Sequence, residues 1–467
     1  MIRVPDRSLP TPELAELPTP LPLRRMAGPG IILAGLSIGS GEFVLWPRLT
    51  AEWGFAVFWA AWIGVTIQFF LNMEIERYTL ATGESAVVGF LRLCRVFGPV
   101  FLVCGSLPWI WPGWATGGAT LLVWEIGGSV TLYAIIGLVL CGLLLSLGPV
   151  IYRTLEWLQL ALVSVIFVAV GSLGILVIRP EALRALLAGA LQIGSIPEGI
   201  ELPLLLGALA FAGAGGTINL AQSNYIKDKG YGMGRWIGRI TSPLTGREES
   251  TQEIGLRFEG SAVNLDRWRL WWRRANVEHL LSFWALCILS LALLCLITYS
   301  LLGPDAPVEA GFGFIHAQAE ALATRFGASA RHAFLFAGMA VLFSTELALL
   351  DAVTRVLCDI LQLWPRRAPE RSLSRRYFMV LWTLIGFGIL VLAVGVQQPL
   401  LLLVLSASLN ALVMFLYSGL LLWLNLRSFR GPLRPGILRC LALGASLLFF
   451  GYFSLLTLHG QLGRLLG

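Results

Sequence analysis

Charge is scarce in this sequence. Only 13% of its 467 residues are Asp, Glu, Lys or Arg, whereas 57% are hydrophobic. Soluble domains alternate apolar and polar faces and carry more charge, so this composition excludes an ordinary soluble protein. The sequence also lacks a P-loop, a nucleophile elbow, a dinucleotide fingerprint, a CxxC pair and a Cys/His cluster. These absences leave no support for an enzyme, a bound cofactor, a zinc site or a disulfide framework.

What the sequence has in abundance is long apolar runs. They follow one another nearly end to end, and each has the roughly 20 residues that a helix needs to cross a bilayer. In lipid every backbone amide must bond within its own span, so we predict an all-α integral membrane protein. Eleven spans are expected, at 26–50, 54–74, 97–124, 130–150, 154–178, 203–226, 277–302, 331–361, 377–396, 399–425 and 436–459.

The basic residues predict the orientation. Most of the 34 Lys and Arg residues fall in loops on the side of the N-terminus. Positively charged loops remain cytoplasmic, so the N-terminus is expected in the cytoplasm and the C-terminus outside, in the inner (plasma) membrane of a bacterium. Because these residues are spread over many short loops, the net charge of +7 is no sign of nucleic-acid binding.

Two polar segments lie outside the spans. Residues 1–25 are rich in proline and have no apolar core, which predicts a disordered cytoplasmic tail before a transporter domain at 26–460. Residues 227–275 form a long cytoplasmic loop whose last part predicts an amphipathic helix lying among the lipid headgroups. That part alternates tryptophan with arginine, at Trp268, Trp271 and Trp272 and at Arg267, Arg269, Arg273 and Arg274.

Glycine interrupts two spans, with Gly39-Ser-Gly in the first and Gly213-Ala-Gly-Gly in the sixth. Each glycine costs about 1 kcal/mol of helix propensity relative to alanine. The breaks begin the two halves of a ten-span core, at about 26–178 and 203–425, with one span added at 436–459. Paired broken helices indicate a secondary transporter with a 5+5 inverted repeat and a midplane site between helices 1 and 6. The expected substrate-binding residues are Ser37, Gly39, Ser40, Gly41, Glu42, Gly213, Gly216, Thr217 and Asn219.

Three stretches near these breaks resemble the Nramp family of divalent metal-ion transporters, which belongs to the APC superfamily. They are Gly28-Pro-Gly-Ile-Ile-Leu-Ala-Gly, Arg77-Tyr-Thr-Leu-Ala-Thr-Gly and Asn219-Leu-Ala-Gln-Ser-Asn. The resemblance covers most of the chain. It implies a LeuT-type fold with broken helices 1 and 6, a metal ion held between those helices, and uptake linked to protons.

The signature residues of that family are replaced in this chain. The family's Asp-Pro-Gly-Asn aligns with Gly39 to Glu42, so the Asp is lost and a Glu stands for the Asn. Its Met-Pro-His aligns with Gly216-Thr-Ile, and a histidine linked to proton movement aligns with Ser223. Without the thioether that favours soft metals, a hard ion such as magnesium or manganese is expected. The expected metal ligands are Glu42, Thr217 and Asn219.

Ionisable residues inside spans are costly, so each needs an explanation. Glu42 is interpreted as a cation ligand or proton carrier, or as an acid that complements the dipole of the second half-helix. In the eighth span, Arg355 and Asp359 are interpreted as parts of a self-neutralising charge ladder. Glu346 and Asp351 lie deeper and are expected to line an ion or proton path together with Glu42.

Three further polar residues have local explanations. Glu74 and Glu76 lie beside Arg77 near the end of the second span and are interpreted as a surface pair. Asn410 in the tenth span is interpreted as a partner either for an unwound segment or for a neighbouring helix.

Three functions follow from these features. The first is a secondary active transporter of divalent cations, operating as a symporter by alternating access. The second is a transporter of amino acids or other small organic solutes, because Gly39-Ser-Gly resembles the Gly-Ser-Gly whose amides receive a substrate carboxylate in the APC superfamily. The third is a non-transporting nutrient sensor, which the lack of an added signalling domain disfavours. The expected partners are a small inorganic cation or organic solute, a coupled proton or sodium ion, and membrane lipid.

Overall fold

The computed structural model is almost entirely helical in the part of the chain that it describes. Nine of the helices in that part are long and apolar enough to span a membrane, by length and composition. All eleven predicted spans coincide with helical segments. The third and sixth predicted spans are not among these nine helices, because each of the two is split into shorter helices. The structure describes residues 2–6, 8–148, 151–241, 252, 254–303, 309–364 and 372–466, without the side chains of Ser40 and residues 457–466.

The helices follow the predicted two halves of the chain. The first half contains α1 (Pro29–Ser37), α2 (Trp46–Trp53), α3 (Phe58–Thr82), α4 (Ala86–Leu93), α5 (Phe97–Ser106), α6 (Gly113–Ile126), α7 (Val130–Leu147), α8 (Ile151–Val177) and α9 (Pro180–Leu191). The second half contains α10 (Leu202–Ala210), α11 (Gly216–Lys229), α12 (Ala262–His279), α13 (Leu286–Leu302), α14 (Gly313–Phe326), α15 (Ala328–Leu363), α16 (Leu373–Ala393), α17 (Pro399–Ser428) and α18 (Ile437–Leu466).

Shorter elements connect these helices. Two π-helical segments, π1 (Ile38–Leu45) and π2 (Leu280–Ala285), join α1 to α2 and α12 to α13. Two short strands, β1 (Glu13–Leu14) and β2 (Leu256–Arg257), pair in parallel. Single 3-10 turns lie at Leu23–Arg25, Leu107–Trp109, Gly232–Trp236 and Gly431–Leu433.

The first span remains helical where a break is predicted. π1 follows α1 directly, and the Trp46 N–H at its end bonds to the Gly41 carbonyl, five residues earlier. The departure from α-helical geometry lies at the predicted place, but the prediction of an unwound segment there is wrong. A π turn inserts one extra residue while keeping the backbone bonded, which suits a segment with no water nearby.

The sixth span is broken as predicted, because residues 211–215 between α10 and α11 are not helical. The third span is broken too, between α5 and α6, which the apolar pattern did not predict. Pro108 and Pro112 lie in that second break. Proline cannot donate a backbone hydrogen bond, so these two residues were the signal available in the sequence.

The N-terminal segment is ordered, so the prediction of a disordered tail is wrong. Ile2 forms an antiparallel bridge with Phe429, β1 pairs with β2, and the Leu17 side chain is fully buried. Proline-rich extended chain leaves its carbonyls without internal partners. These carbonyls are satisfied from the bundle, as where the Arg92 guanidinium donates to the Pro10 carbonyl at 2.8 Å.

The predicted amphipathic helix exists as α12, and protein covers two of its three tryptophans. Trp268 and Trp271 are buried, and the Trp271 indole donates to the Pro18 carbonyl at 2.8 Å. The Arg274 guanidinium donates to the Leu21 carbonyl at 2.6 Å. The N-terminal segment therefore covers the apolar side of α12 that the sequence pattern assigned to lipid.

Replacing Trp271 with alanine is expected to destabilise this arrangement by about 3–5 kcal/mol, because a fully buried indole is lost together with its hydrogen bond. Thermal unfolding of the purified protein in detergent measures the effect. Trp236→Ala is the matched control, since the Trp236 side chain is 46% exposed although its indole also donates to a carbonyl of the N-terminal segment. Equal melting temperatures for the two variants would contradict the packing role.

Candidate functional site

The break in the sixth span lies deep in the bundle. Its residues are buried, and Gly216 opens α11 with φ +53°, a conformation that L side chains rarely adopt. A Cβ atom at Gly216 would lie 1.8 Å from the Asn410 side-chain oxygen, and one at Gly213 would lie 2.6 Å from the Gln68 oxygen. Glycine is therefore required here both by backbone conformation and by close approach.

Two side-chain amides replace the helical hydrogen bonds lost at the break. From α3, the Gln68 amide nitrogen donates to the Ala210 carbonyl at 2.9 Å, and the Gln68 oxygen accepts from the Gly215 N–H at 3.0 Å. From α17, the Asn410 oxygen accepts from the Thr217 N–H at 3.2 Å. The interpretation of Asn410 as a partner of an unwound segment is confirmed, whereas sequence analysis did not single out Gln68.

The two predicted ligands on α11 have different surroundings. The Thr217 hydroxyl donates to the Cys104 carbonyl at 3.3 Å. The Asn219 amide nitrogen donates to the Tyr417 hydroxyl at 3.0 Å and contacts the Gln68 oxygen at 3.4 Å. The Asn219 oxygen is buried and has no hydrogen-bond partner among the described residues. The Asn219 side-chain oxygen is therefore available as a ligand beside the break.

The glycines of π1 face two different neighbours. A Cβ atom at Gly41 would lie 1.6 Å from the Phe211 carbonyl oxygen, so this glycine packs directly on the break in the sixth span. A Cβ atom at Gly39 would lie 1.8 Å from the Thr345 hydroxyl oxygen, so this glycine packs on α15 instead. Gly41 therefore brings the first span into direct contact with the break in the sixth span, without a cavity between the two at this point. The side chain of Ser40 lies outside the described part of the structure.

Glu42 points toward α13 and not toward α11. Its carboxylate is fully buried and accepts hydrogen bonds from the Ser37 hydroxyl at 2.6 Å and from the Ser290 hydroxyl of α13. The predicted metal ligands Glu42, Thr217 and Asn219 are therefore not brought together in this conformation. The hydrogen bonds are the physical reason, because Glu42 bonds to Ser290 of α13, whereas Thr217 and Asn219 bond to the Cys104 carbonyl and the Tyr417 hydroxyl. Among the described residues, no three His, Cys, Asp or Glu side chains cluster as metal ligands would.

Asp351 is fully paired, contrary to its expected place on an ion path. It accepts from the Arg355 guanidinium at 2.7 Å and from the Tyr377 hydroxyl at 2.6 Å. Arg355 also forms an ion pair with Asp228 of α11, and Asp359 forms one with Lys227, which lies on α11 too. These contacts tie α15 to α11 and explain the buried charges as structural.

Glu346 is less well satisfied. Its side chain is buried on α15, and one carboxylate oxygen has no partner among the described residues. The carboxylate also receives a backbone hydrogen bond from Ala115, in the first turn of α6. It therefore caps the helix that restarts the third span and retains one free acceptor.

An aromatic cluster joins the breaks of the third and sixth spans. The rings of Trp109 and Trp114 stack with their centroids 5.6 Å apart, and Trp109 also stacks on Phe211 at 5.9 Å. Phe211 is the residue whose carbonyl contacts Gly41. The breaks in the third and sixth spans and the π segment of the first thus meet at one place in the bundle.

No protein-family model matches the sequence, and no curated protein sequence matches it. Solved structures do match. The crystal structure of a manganese transporter of Eremococcus coleocola superposes with a TM-score of 0.70 at 15% identity, over 98% of this chain and 91% of that chain. Mhp1, a nucleobase-cation-symport-1 family transporter, superposes with a TM-score of 0.50 at 13% identity, over 92% of this chain and 93% of that one. At such identities the likeness shows the fold alone, and it establishes that this chain is an all-α membrane protein with the LeuT-type transporter fold.

Proposed function

We propose that this protein is a secondary active transporter of a divalent cation, a hard ion such as magnesium or manganese. One observation carries the proposal. Glu42 is a fully buried carboxylate in the first membrane span, and its described partners are hydroxyl and thiol groups, with no cationic side chain among them. A buried acid without a counter-charge is strongly disfavoured unless it is protonated or meets a cation.

Two other oxygen ligands are available on α11. Asn219 offers a buried carbonyl oxygen without a partner, and Thr217 offers a hydroxyl at the start of α11. Because Glu42 faces α13 in this conformation, we infer that the carboxylate and the α11 side chains contact the cation in succession. Glu346, with its own free oxygen, is our candidate for carrying a coupled proton.

The orientation follows from the basic residues. We place the face that carries the N-terminal segment in the cytoplasm of a bacterium, because most of the Lys and Arg residues of the chain lie on that face. The N-terminal segment covers α12, and the Arg355 ion pairs tie α15 to α11.

A second candidate, transport of a small organic solute, is favoured by the chemistry of the break in the sixth span. The side chains that bond to residues 210–219 there are uncharged, namely Gln68, Asn410 and Tyr417. A neutral polar lining suits a neutral or zwitterionic solute. The predicted carboxylate site on free amides at Gly39 to Gly41 has less support, since those residues lie within a continuous helical segment.

We expect weak discrimination among divalent metals. The position aligned with the thioether is Gly216, and a side chain there would collide with Asn410. Uptake into proteoliposomes and isothermal titration should show manganese favoured over magnesium by no more than about tenfold, or roughly 1.4 kcal/mol. Empty liposomes provide the background, and an amino-acid mixture is assayed in parallel. Strong selectivity for manganese or cadmium would contradict the expected weak discrimination, and uptake of amino acids without metal would favour the second candidate.

A further inference from the structure

A polar stripe runs along α3 inside the membrane span. Gln68, Asn72 and Glu76 recur every four residues, which places them on one face of the helix, and each is at most 1% exposed. This face lies against α11. Gln68 contacts Asn219 at 3.4 Å, and the Gln222 amide nitrogen donates to a Glu76 carboxylate oxygen at 3.2 Å. Asn72 lies between these two contacts, one helical turn from each.

Several polar atoms of this stripe have no hydrogen-bond partner in the part of the chain that the structure describes. They are both amide atoms of Asn72, the second carboxylate oxygen of Glu76 and the side-chain oxygen of Gln222. Buried polar groups in native proteins are nearly always satisfied, by protein, water or an ion. Three unsatisfied oxygen atoms on two adjacent helices therefore indicate that something binds between them.

Glu76 also lacks the counter-charge that its neighbour has. Glu74 pairs with Arg77 at 2.8 Å and with Arg439 at 3.3 Å, whereas Glu76 forms no salt bridge with any described residue. Arg439 and Glu278 act on Glu76 only at longer range and with opposite signs. The interpretation of Glu74 and Glu76 as a surface pair is wrong, because both side chains are buried. Glu74 has Arg77 as its partner, whereas Glu76 has no ion-pair partner among the described residues.

We propose that Asn72, Glu76 and Gln222 form a binding site for a monovalent metal cation, sodium, separate from the break in the sixth span. Carboxylate and amide oxygens are the donors that hard cations prefer, and water can complete the shell. Glu76 is the one carboxylate among these three side chains, so a bound monovalent cation leaves the site neutral. The proposed site does not depend on whether the transported solute is a divalent metal or an organic molecule. It gives sodium a coupling role in addition to that of the proton at Glu346.

The experiment is thermal unfolding of the purified full-length protein in sodium chloride against choline chloride at constant ionic strength. Bound sodium stabilises the folded state by RT ln(1 + [Na⁺]/Kd), so the melting temperature of the wild type should rise with sodium and follow the logarithm of its concentration above Kd. In Glu76→Gln the apparent sodium affinity should fall at least tenfold. Gln222→Ala keeps the carboxylate but removes one oxygen, so it should weaken sodium binding severalfold and supplies a second test where Glu76→Gln folds poorly.

Gln318→Ala is the matched control for Gln222→Ala, because Gln318 is also a buried glutamine but lies on α14, where its oxygen accepts from the Thr298 hydroxyl at 3.1 Å. It should retain the sodium response of the wild type. A wild type that responds equally to sodium and choline would overturn the proposal, since Glu76 would then be neutralised by a proton. A sodium response that survives unchanged in Glu76→Gln and Gln222→Ala would place the sodium elsewhere and overturn it as well.

Discussion

Replacing Gly41 with alanine is expected to abolish transport and to lower the stability of the fold by more than about 3 kcal/mol, the upper range of overpacking effects. The added Cβ atom would lie 1.6 Å from the Phe211 carbonyl oxygen and 2.5 Å from its carbonyl carbon. Both are backbone atoms, so no change of rotamer relieves the collision. The first and sixth spans would have to move apart, and Phe211 is stacked on Trp109, which leaves it little room to move.

The measurement combines the melting temperature in detergent, the monodisperse fraction in size-exclusion chromatography and uptake into proteoliposomes. Gly171→Ala is the matched control. Gly171 lies within α8, and no heavy atom is within 4 Å of a Cβ atom placed there. That variant should be neutral or gain up to about 1 kcal/mol from improved helix propensity. Wild-type uptake by Gly41→Ala would show that the first and sixth spans do not contact each other as described.

Much of the fold follows from the apolar runs alone. A run of about 20 residues in lipid has only the helical solution, so the position of each span could be predicted without knowledge of its neighbours. The break at residues 211–215 was predictable because three glycines fall within four residues, from Gly213 to Gly216. The break before α6 had a weaker signal in Pro108 and Pro112, which the hydropathy of that span concealed.

The form of the first span could not be predicted. Gly39 and Gly41 lower the helix propensity of the first span. Both an unwound segment and a π turn are compatible with that low propensity. Which one forms depends on tertiary contacts, here the Phe211 carbonyl and Thr345. The direction of Glu42 depends on that choice, so its contact with Ser290 and its separation from the predicted ligands on α11 were beyond the reach of the sequence.

The N-terminal segment and the α3 stripe show two other limits. Composition predicted disorder for the proline-rich tail. Composition takes no account of hydrogen-bond donors elsewhere in the chain, such as Arg92 and Trp271, which bond to the carbonyls of this tail. In the sequence, Gln68 and Glu76 belong to a series of polar side chains that recur every four residues in an apolar span. Their importance rests on what α11 presents to them, which requires the packed structure.

Replacing Glu42 with glutamine is expected to reduce divalent-cation uptake at least tenfold while the protein still folds. Glutamine keeps the size of the side chain but removes the only carboxylate that sequence or structure places at the π segment. One oxygen still accepts a hydrogen bond from Ser37 or Ser290, and the other hydroxyl can reorient, so the melting temperature should change little. The loss should therefore appear in transport and not in stability.

Ser290→Ala separates charge from hydrogen bonding at the same place. It removes one donor from the carboxylate but leaves its charge, so cation uptake should fall less than in Glu42→Gln. Proteoliposome uptake of magnesium, manganese and an amino-acid mixture is compared for wild type and both variants, at matched protein incorporation. If the substrate is a carboxylate-bearing solute, removing a nearby negative charge should leave its uptake intact or improve it. Unchanged metal uptake by a folded Glu42→Gln protein would eliminate the carboxylate as a cation ligand. An organic solute would then be the better substrate, because the side chains at the break in the sixth span are uncharged.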